Sequence, residues 1–173
     1  MREGSPDDLL DGLVAGEHGA FATLYDRCGP AMVRVAATLA GSREEAEDAV
    51  QDVFVGLVRA GDRLRTVRNL RAYLFASVRR AAIRRCRGRR PATLAAKDLP
   101  DPASGGNSTD GETAVRLERA LARLPTAQRE VVALHVDGGL TLAECAEVLG
   151  VSANTAASRY RYALEKLRDA LKE

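Results

Sequence analysis

Eleven arginines, and no aspartate or glutamate, fall in the 28 residues from Arg63 to Arg90. A guanidinium is planar and presents its donors as a fork that matches phosphate oxygens and base edges. Arginines gathered on one face therefore form a footprint for a polyanion. Immediately upstream, Arg43 to Asp52 carries five acids and one base. The whole-chain balance of 26 basic against 24 acidic residues, net +2, conceals both blocks. Two readings fit. The acidic surface meets a basic protein while the basic one meets nucleic acid, or the two solvated faces pair with each other. The choice of arginine throughout, with no lysine in the window, favours the first.

Other chemistry is sparse. Cys28, Cys86 and Cys145 lie 58 and 59 residues apart, with only His18 and His135 to assist them. That spacing makes neither a metal site nor a disulfide framework, and the thiols fit as small core residues. There is no Gly-rich phosphate loop, and neither histidine has the neighbours of a catalytic triad. The expectation is a binding protein without enzymatic activity, cofactor or metal.

The elements that must position the charged blocks are helical. A chain of 173 residues, 46% hydrophobic and 29% charged, is globular, and two small domains fit its pattern better than one. No apolar run approaches the ~20 residues that cross a bilayer, and the N-terminus lacks the apolar core of a secretory signal. The expected address is the cytoplasm. Ser5-Pro6-Asp7-Asp8 reads as the start of a short helix ending near Gly16. Phe21, Leu24, Tyr25, Cys28, Met32, Val35 and Leu39 form one stripe on a long helix ending at Gly41. Ser42 and Glu45 form a capping box for a helix that buries Ala46, Ala49, Val50, Val53, Phe54, Leu57 and Val58 and ends at Gly61. Asn69 caps a further helix with Leu70, Tyr73, Leu74, Val78, Ala81 and Ala82 inside. Residues 91–112 are rich in Pro, Gly, Ser and Thr and read as a flexible linker. It divides an N-terminal domain, 1–90, from a C-terminal one, 113–173.

In the C-terminal domain, Thr113 caps a helix with Val115, Leu117, Leu121 and Leu124 as core. Thr126 caps the next, which carries Val131, Val132, Leu134 and Val136. Thr141-Leu142-Ala143-Glu144 opens a short helix that stops at Gly150, and Ser152 caps a final helix with Tyr160, Leu164, Leu167 and Leu171 at steps of four, three and four. Short helix, glycine turn and long helix make a helix-turn-helix. Its second helix would present Ser152, Asn154, Thr155, Ser158, Arg159 and Arg161 to the major groove. The same pattern also serves as a packing module with no DNA contact.

The two halves together resemble the extracytoplasmic-function sigma factors, the small two-domain group of the main bacterial sigma family. In the first half the resemblance rests on Phe21-x-x-Leu24-Tyr25, on Ala46-Glu47-Asp48-Ala49-Val50-Gln51-Asp52-Val53-Phe54, and on Asn69-x-Arg71-Ala72-Tyr73-Leu74-Phe75 with the arginine cluster. In the second it rests on Leu124-Pro125-x-x-Gln128-Arg129-Glu130, on Glu144-x-Ala146-x-x-Leu149-Gly150-Val151-Ser152-x-Asn154-Thr155, and on Ser158-Arg159. The resemblance implies an all-α, two-domain promoter-recognition factor. Glu47, Asp48, Gln51 and Asp52 would dock on the clamp helices of core RNA polymerase, with Phe54 packed behind. Arg65, Arg68, Asn69, Arg71, Tyr73, Arg79, Arg80, Arg84 and Arg85 would capture and grip the melted minus-ten element, a task suited to cationic grooves and stacking faces. The helix-turn-helix would read the minus-thirty-five element, and its outer apolar surface would hold the polymerase flap. An anti-sigma factor is the implied inhibitor.

Tyr73 stands where relatives often carry Trp, and it fits equally as a core aromatic. Arg80 and Arg84 replace Asn and Asp of many relatives, making the site more basic. Ala156 and Ala157 stand where Val and Lys are usual, which removes about one phosphate contact. Two other classes stay open: a stand-alone helix-turn-helix regulator, and a protein that binds polymerase or an inhibitor without reading promoters.

Overall fold

The computed structural model describes residues 9–40, 42–87 and 108–172, and among them every regular element is helical. The first half contains α1 (Leu10–Val14), α2 (His18–Ala40), α3 (Arg43–Ala60), a 3-10 turn (Gly61–Thr66) and α4 (Leu70–Arg87). The second contains α5 (Ser108–Arg123), α6 (Thr126–Val132), a π turn (Ala133–Asp137), α7 (Leu142–Leu149) and α8 (Ala153–Lys172). The Ser5-Pro6 helix start and the Gly41 stop lie outside the described residues. So does the expected linker as far as residue 107, and α5 already runs from Ser108, ahead of the Thr113 cap.

Local chemistry sets most of the other boundaries. Ser42 Oγ accepts the Glu45 N–H at 3.2 Å, and Asn69 Oδ1 accepts the Ala72 N–H at 2.9 Å. Thr141 and Glu144 form a complete capping box. Gly150 turns the chain at φ 66, ψ 38, a left-handed geometry open to glycine at no steric cost. Ser152 Oγ then accepts the Thr155 N–H at 3.1 Å to start α8. Thr126 is not a cap. Pro125 holds that position, and its carbonyl accepts the N–H groups of Gln128 and Arg129 at 2.9 and 3.0 Å.

Helices α2, α3 and α4 wrap a core in which Leu24, Met32, Leu57, Leu64, Leu70, Leu74, Phe75 and Val78 are fully buried. Each such side chain contributes about 1.5–3 kcal/mol by leaving water. The core does not stop at the domain boundary. Val131, Leu134, Leu140, Cys145 and Ala156 belong to the same contiguous cluster, because α6, the π turn and α7 pack on α2 and α4. A smaller cluster of Ala120, Leu124, Val132, Ala163 and Leu167 joins α5, α6 and α8. Two helical domains are present, but their apolar interiors merge.

Several residues expected inside are exposed: Tyr25, Val58, Val115, Leu117, Val136, Leu164 and Leu171. Most lie at the edge of a stripe wider than the face its neighbours cover. Tyr25 sits on the rim, edge-on to Phe54 at 5.4 Å between ring centroids. Val136 has a different cause. The π turn inserts one residue into the helical register, a rotation of about 100° at 3.6 residues per turn, and this turns Val136 outward. Gly138 closes that turn where a Cβ would stand 2.5 Å from the Leu134 carbonyl oxygen. Cys28 and Cys145 are buried and Cys86 is half-buried. Burial pushes the Cys28 thiol up against the opposing pull of Arg71 and Arg27. Burial and the neighbouring Glu144 carry Cys145 to about 11.

Candidate functional site

The acidic block lies on α3 and the arginine block on the 3-10 turn and α4, which pack side by side. On α3, Glu47, Gln51 and Asp52 are exposed and Asp48 is half-buried at the edge of the same face. The acids are paired within the chain. Arg43 Nε meets Glu47 Oε1 at 2.7 Å. Arg85 spans from α4 to three carboxylates, Asp48 at 2.9 Å, Asp52 at 3.0 Å and Glu45 at 3.3 Å. The Arg43–Glu47 pair is open to solvent and contributes only about 0–1 kcal/mol, whereas the Arg85 network is partly shielded, with Arg85 28% and Glu45 22% exposed.

Beyond Asp52 the surface between α3 and α4 falls into two adjoining grooves that share Gly56 and Tyr73. The larger, about 390 Å³, runs along Arg59, Ala60, Arg63, Leu64, Thr66 and Val67. The smaller, about 190 Å³, is bounded by Asp52, Val53, Ser77, Arg80 and Arg84. Tyr73 is half-buried, packing against the core while lining both grooves. Its packing against the core fits the core-aromatic alternative, and it also lines the grooves. Arg59, Arg63, Arg80 and Arg84 are exposed around it, and the Arg80 guanidinium leans on Ser77 Oγ at 3.1 Å. A cationic rim around an aromatic wall, at the scale of about 300–1,000 Å³ typical of ligand sites, can hold an unstacked base while gripping its phosphate.

Not every expected nucleic-acid residue is brought to these grooves. Arg68 is exposed beside them, and Arg65 bonds Asp62 at 3.4 Å. Asn69, Arg71 and Arg79 turn toward the second domain: the Asn69 amide donates to Glu144, the Arg71 Nε to the Gly138 carbonyl at 2.6 Å, and the Arg79 Nε to Glu130 at 2.8 Å. Arg85 faces the acids of α3. The mutual pairing of oppositely charged faces is therefore real at Arg85, while a cationic surface remains open around Tyr73. Glu144 is held below the usual carboxylate range, first by the Thr141 backbone N–H and then, against burial, by the Thr141 hydroxyl, Asn69 and Arg71. Of the groove residues, Arg63, Thr66, Val67 and Ser77 fall within the loop 61–68 and the helix 69–85 expected at the nucleic-acid site, whereas Gly56 and Arg59 were not anticipated. The available signal was Arg59 and Arg63, spaced by four at the helix end, three residues beyond a glycine on an exposed face.

In the second domain the front of α8 is uncovered. Asn154, Ala157 and Arg161 are exposed, and Thr155, Ser158 and Arg159 are half-exposed. Ser152 and Thr155 share a 2.8 Å hydroxyl contact in the cap, where Ser152 Oγ also takes the Thr155 N–H. Ala156 is fully buried and belongs to the core, whereas Ala157 faces solvent. Val115 and Leu117 on α5, with Leu164 and Leu171 on α8, leave exposed apolar surface on the two packed helices.

Comparison with known proteins fits this architecture. Residues 24–91 match Sigma-70 region 2 and residues 114–167 match Sigma-70, region 4. The ECF RNA polymerase sigma factor SigM of Mycobacterium tuberculosis is 31% identical over 165 residues, covering 95% of this chain and 84% of that protein. The RNA polymerase sigma factor NccH of Alcaligenes xylosoxydans xylosoxydans is 32% identical over 177 residues, covering 96% and 95%. Among solved structures, CnrH in complex with the cytosolic domain of CnrY superposes with a TM-score of 0.68 at 27% identity, covering 95% of both chains. The sigma factor RpoE of Bartonella quintana shares the fold, with a TM-score of 0.69 at 24% identity over 88% of this chain and 96% of that one. With both sigma regions in order on the two halves and such relatives along nearly its whole length, the chain belongs to the ECF sigma factors, the promoter-directing subunits of RNA polymerase.

Proposed function

We propose that the chain divides promoter recognition between its halves. The α3 face with Glu47, Asp48, Gln51 and Asp52 docks on the clamp helices of core polymerase. The two grooves meeting at Tyr73 take up unpaired bases of the minus-ten element, with Arg63, Arg80 and Arg84 on the strand backbone. The open front of α8, with Asn154, Ser158, Arg159 and Arg161, reads the minus-thirty-five element as duplex, and the apolar surface of α5 and α8 meets the polymerase flap. The single observation that carries this reading is the junction of cationic grooves and acidic helix face along α3, where a surface suited to a single strand adjoins one suited to a basic protein. By analogy with CnrH, solved with the cytosolic domain of CnrY bound, an inhibitory protein would cover the same surfaces.

Core binding and promoter-directed transcription test the reading. Asp48→Lys with Asp52→Lys should weaken core affinity at least tenfold, about 1.4 kcal/mol. Because both acids also hold Arg85, Arg85→Gln is measured in parallel. It breaks the same internal pairs while sparing the docking charges, so core affinity should stay within about threefold. Equal core affinity in all three proteins would overturn the docking assignment.

A further inference from the structure

Tyr73, Ser77, Arg80 and Arg84 recur at helical spacing and form one stripe of α4 along the smaller groove. Asp52 and Gly56 line it from α3. Gly56 keeps the space open, since a Cβ there would meet no atom within 4 Å. The volume of about 190 Å³ lies below the ~300 Å³ at which sites for drug-sized ligands begin. It suits a single base, with sugar and phosphate left outside.

A carboxylate repels a phosphodiester, so a groove that only gripped strand backbone would gain nothing from Asp52. The Asp52 side chain is 48% exposed, and Arg85 takes its Oδ2 at 3.0 Å. A carboxylate offers about four acceptor positions, so capacity remains for a ligand. On the α4 wall, Arg80 is steadied by its bond to Ser77 Oγ at 3.1 Å, and Arg84 is exposed.

A guanidinium fork matches two adjacent acceptors, and a carboxylate matches two adjacent donors. Guanine is the DNA base that presents both, O6 with N7 on one edge and N1–H with N2–H2 on another. Adenine and cytosine set a ring acceptor beside their single amine, and thymine has one N–H between two carbonyls. In a duplex the guanine N1–H and N2–H2 are taken by cytosine, so a carboxylate meets both only once the pair is broken.

We propose that the smaller groove is a guanine-selective site for the melted strand, in which Asp52 accepts from N1–H and N2–H2 and Arg80 donates to O6 and N7. The inference rests on the minus-ten role proposed above for the two grooves and revises it at two residues. Arg80 turns from the strand backbone to the base, and Asp52, at the edge of the docking face, also reads sequence. Arg84 stays with the phosphate.

The test measures the full chain bound to saturating core polymerase, with core alone as the blank, so that any loss of docking at Asp52 does not enter. Labelled thymine tracts carrying one central variable base are compared by fluorescence anisotropy. Guanine should bind about tenfold or more tightly than thymine, adenine or cytosine, the discrimination expected of a bidentate contact. Inosine, which lacks only the N2 amine, and 7-deazaguanine, which lacks the N7 acceptor, should each lose about threefold or more against guanine. Asp52→Asn offers one acceptor and one donor where guanine needs two acceptors. It should abolish the guanine-over-inosine difference and bind adenine as tightly as guanine, while affinity for the all-thymine tract stays within about threefold. Equal affinity for the four bases would overturn the inference and leave the grooves as a non-selective single-strand site. A guanine preference that is indifferent to inosine, or that survives Asp52→Asn, would overturn it as well. Binding of every strand no tighter than to core alone would instead sink the single-strand role of the grooves, and the inference with it.

Discussion

Helix α4 and helix α8 both carry arginines for which a nucleic-acid role is proposed, and the structure surrounds them differently. On α4, Arg71 and Arg79 are bonded to the second domain and Arg85 to three acids of α3. On α8, Arg161 is exposed beside Tyr162, its guanidinium 5.2 Å from the ring centroid, and Asn154 is open. Helix α4 thus has three of its guanidiniums engaged by neighbouring elements and leaves Arg80 and Arg84 exposed. Helix α4 lies between α2, α3 and α7, whereas α8 packs on α5, α6 and α7 with its front uncovered. A helix flanked by three others finds internal partners for part of its cations, while one with an uncovered front leaves its cations to solvent.

The largest expected difference is in stability. Phe75 is fully buried in the merged core, and Phe75→Ala should cost about 3–5 kcal/mol. Leu167 is 8% exposed at the edge of the smaller cluster, and Leu167→Ala should cost about 2 kcal/mol, the low end of such truncations. Urea unfolding followed by circular dichroism measures both. Equal losses would mean that α8 is as deeply built into the fold as α4.

Next comes the ligand side of the same contrast. Tyr73→Ala should weaken single-strand binding by about 1–3 kcal/mol, the contribution of one stacked base, while Tyr73→Phe keeps it. Fluorescence anisotropy with a short oligonucleotide reads the loss, and thermal melting separates it from a packing defect. If Tyr73→Ala lowers the melting temperature without touching affinity, the ring serves the core alone. On α8, Arg161→Ala should leave stability unchanged and lower the salt dependence of duplex binding by about 0.9 in log–log slope, the release expected for one phosphate contact. A slope unchanged from the parent would remove Arg161 from the DNA face.

How much of this could be read from the sequence depends on how local each determinant is. The helix-turn-helix was legible because Thr141, Glu144, Gly150 and Ser152 act within three or four residues of one another. The Asn69 cap was legible for the same reason. The exposure of Val115, Leu117 and Leu164 was not, since a periodic stripe shows which residues share a face but not how far a neighbouring helix covers it. Val136 turned outward because a π turn shifts the register with no residue pattern to announce it. The partners of α4 were the least legible: Arg79 and Glu130 are 51 positions apart, and Asn69 and Glu144 are 75. Charge blocks disclosed that cations were present, and the packing of α3 and of the second domain around α4 determined which of them were occupied.

The smallest expected effect concerns Glu144, which caps α7 and also receives Asn69. Its carboxyl is held below the ordinary value of 4.5, first by the Thr141 backbone N–H, with the Thr141 hydroxyl, Asn69 and Arg71 adding to it against burial. A depressed acid stabilises the folded state fully above its unfolded value and loses that contribution as the pH falls through its folded value. The cap and the α4–α7 contact should therefore be intact at neutral pH and weaken only below about pH 4.5. The parent should then lose melting temperature more steeply than Glu144→Gln between about pH 5 and pH 3, the two curves converging at the acid end. Glu144→Gln keeps a cap-competent oxygen, so its deficit at neutral pH should be small. Parallel curves over that interval would mean that the ionised carboxylate contributes nothing to the junction between the domains. In that case the binding of α7 to α4 would rest on apolar contact and the Arg71–Gly138 bond.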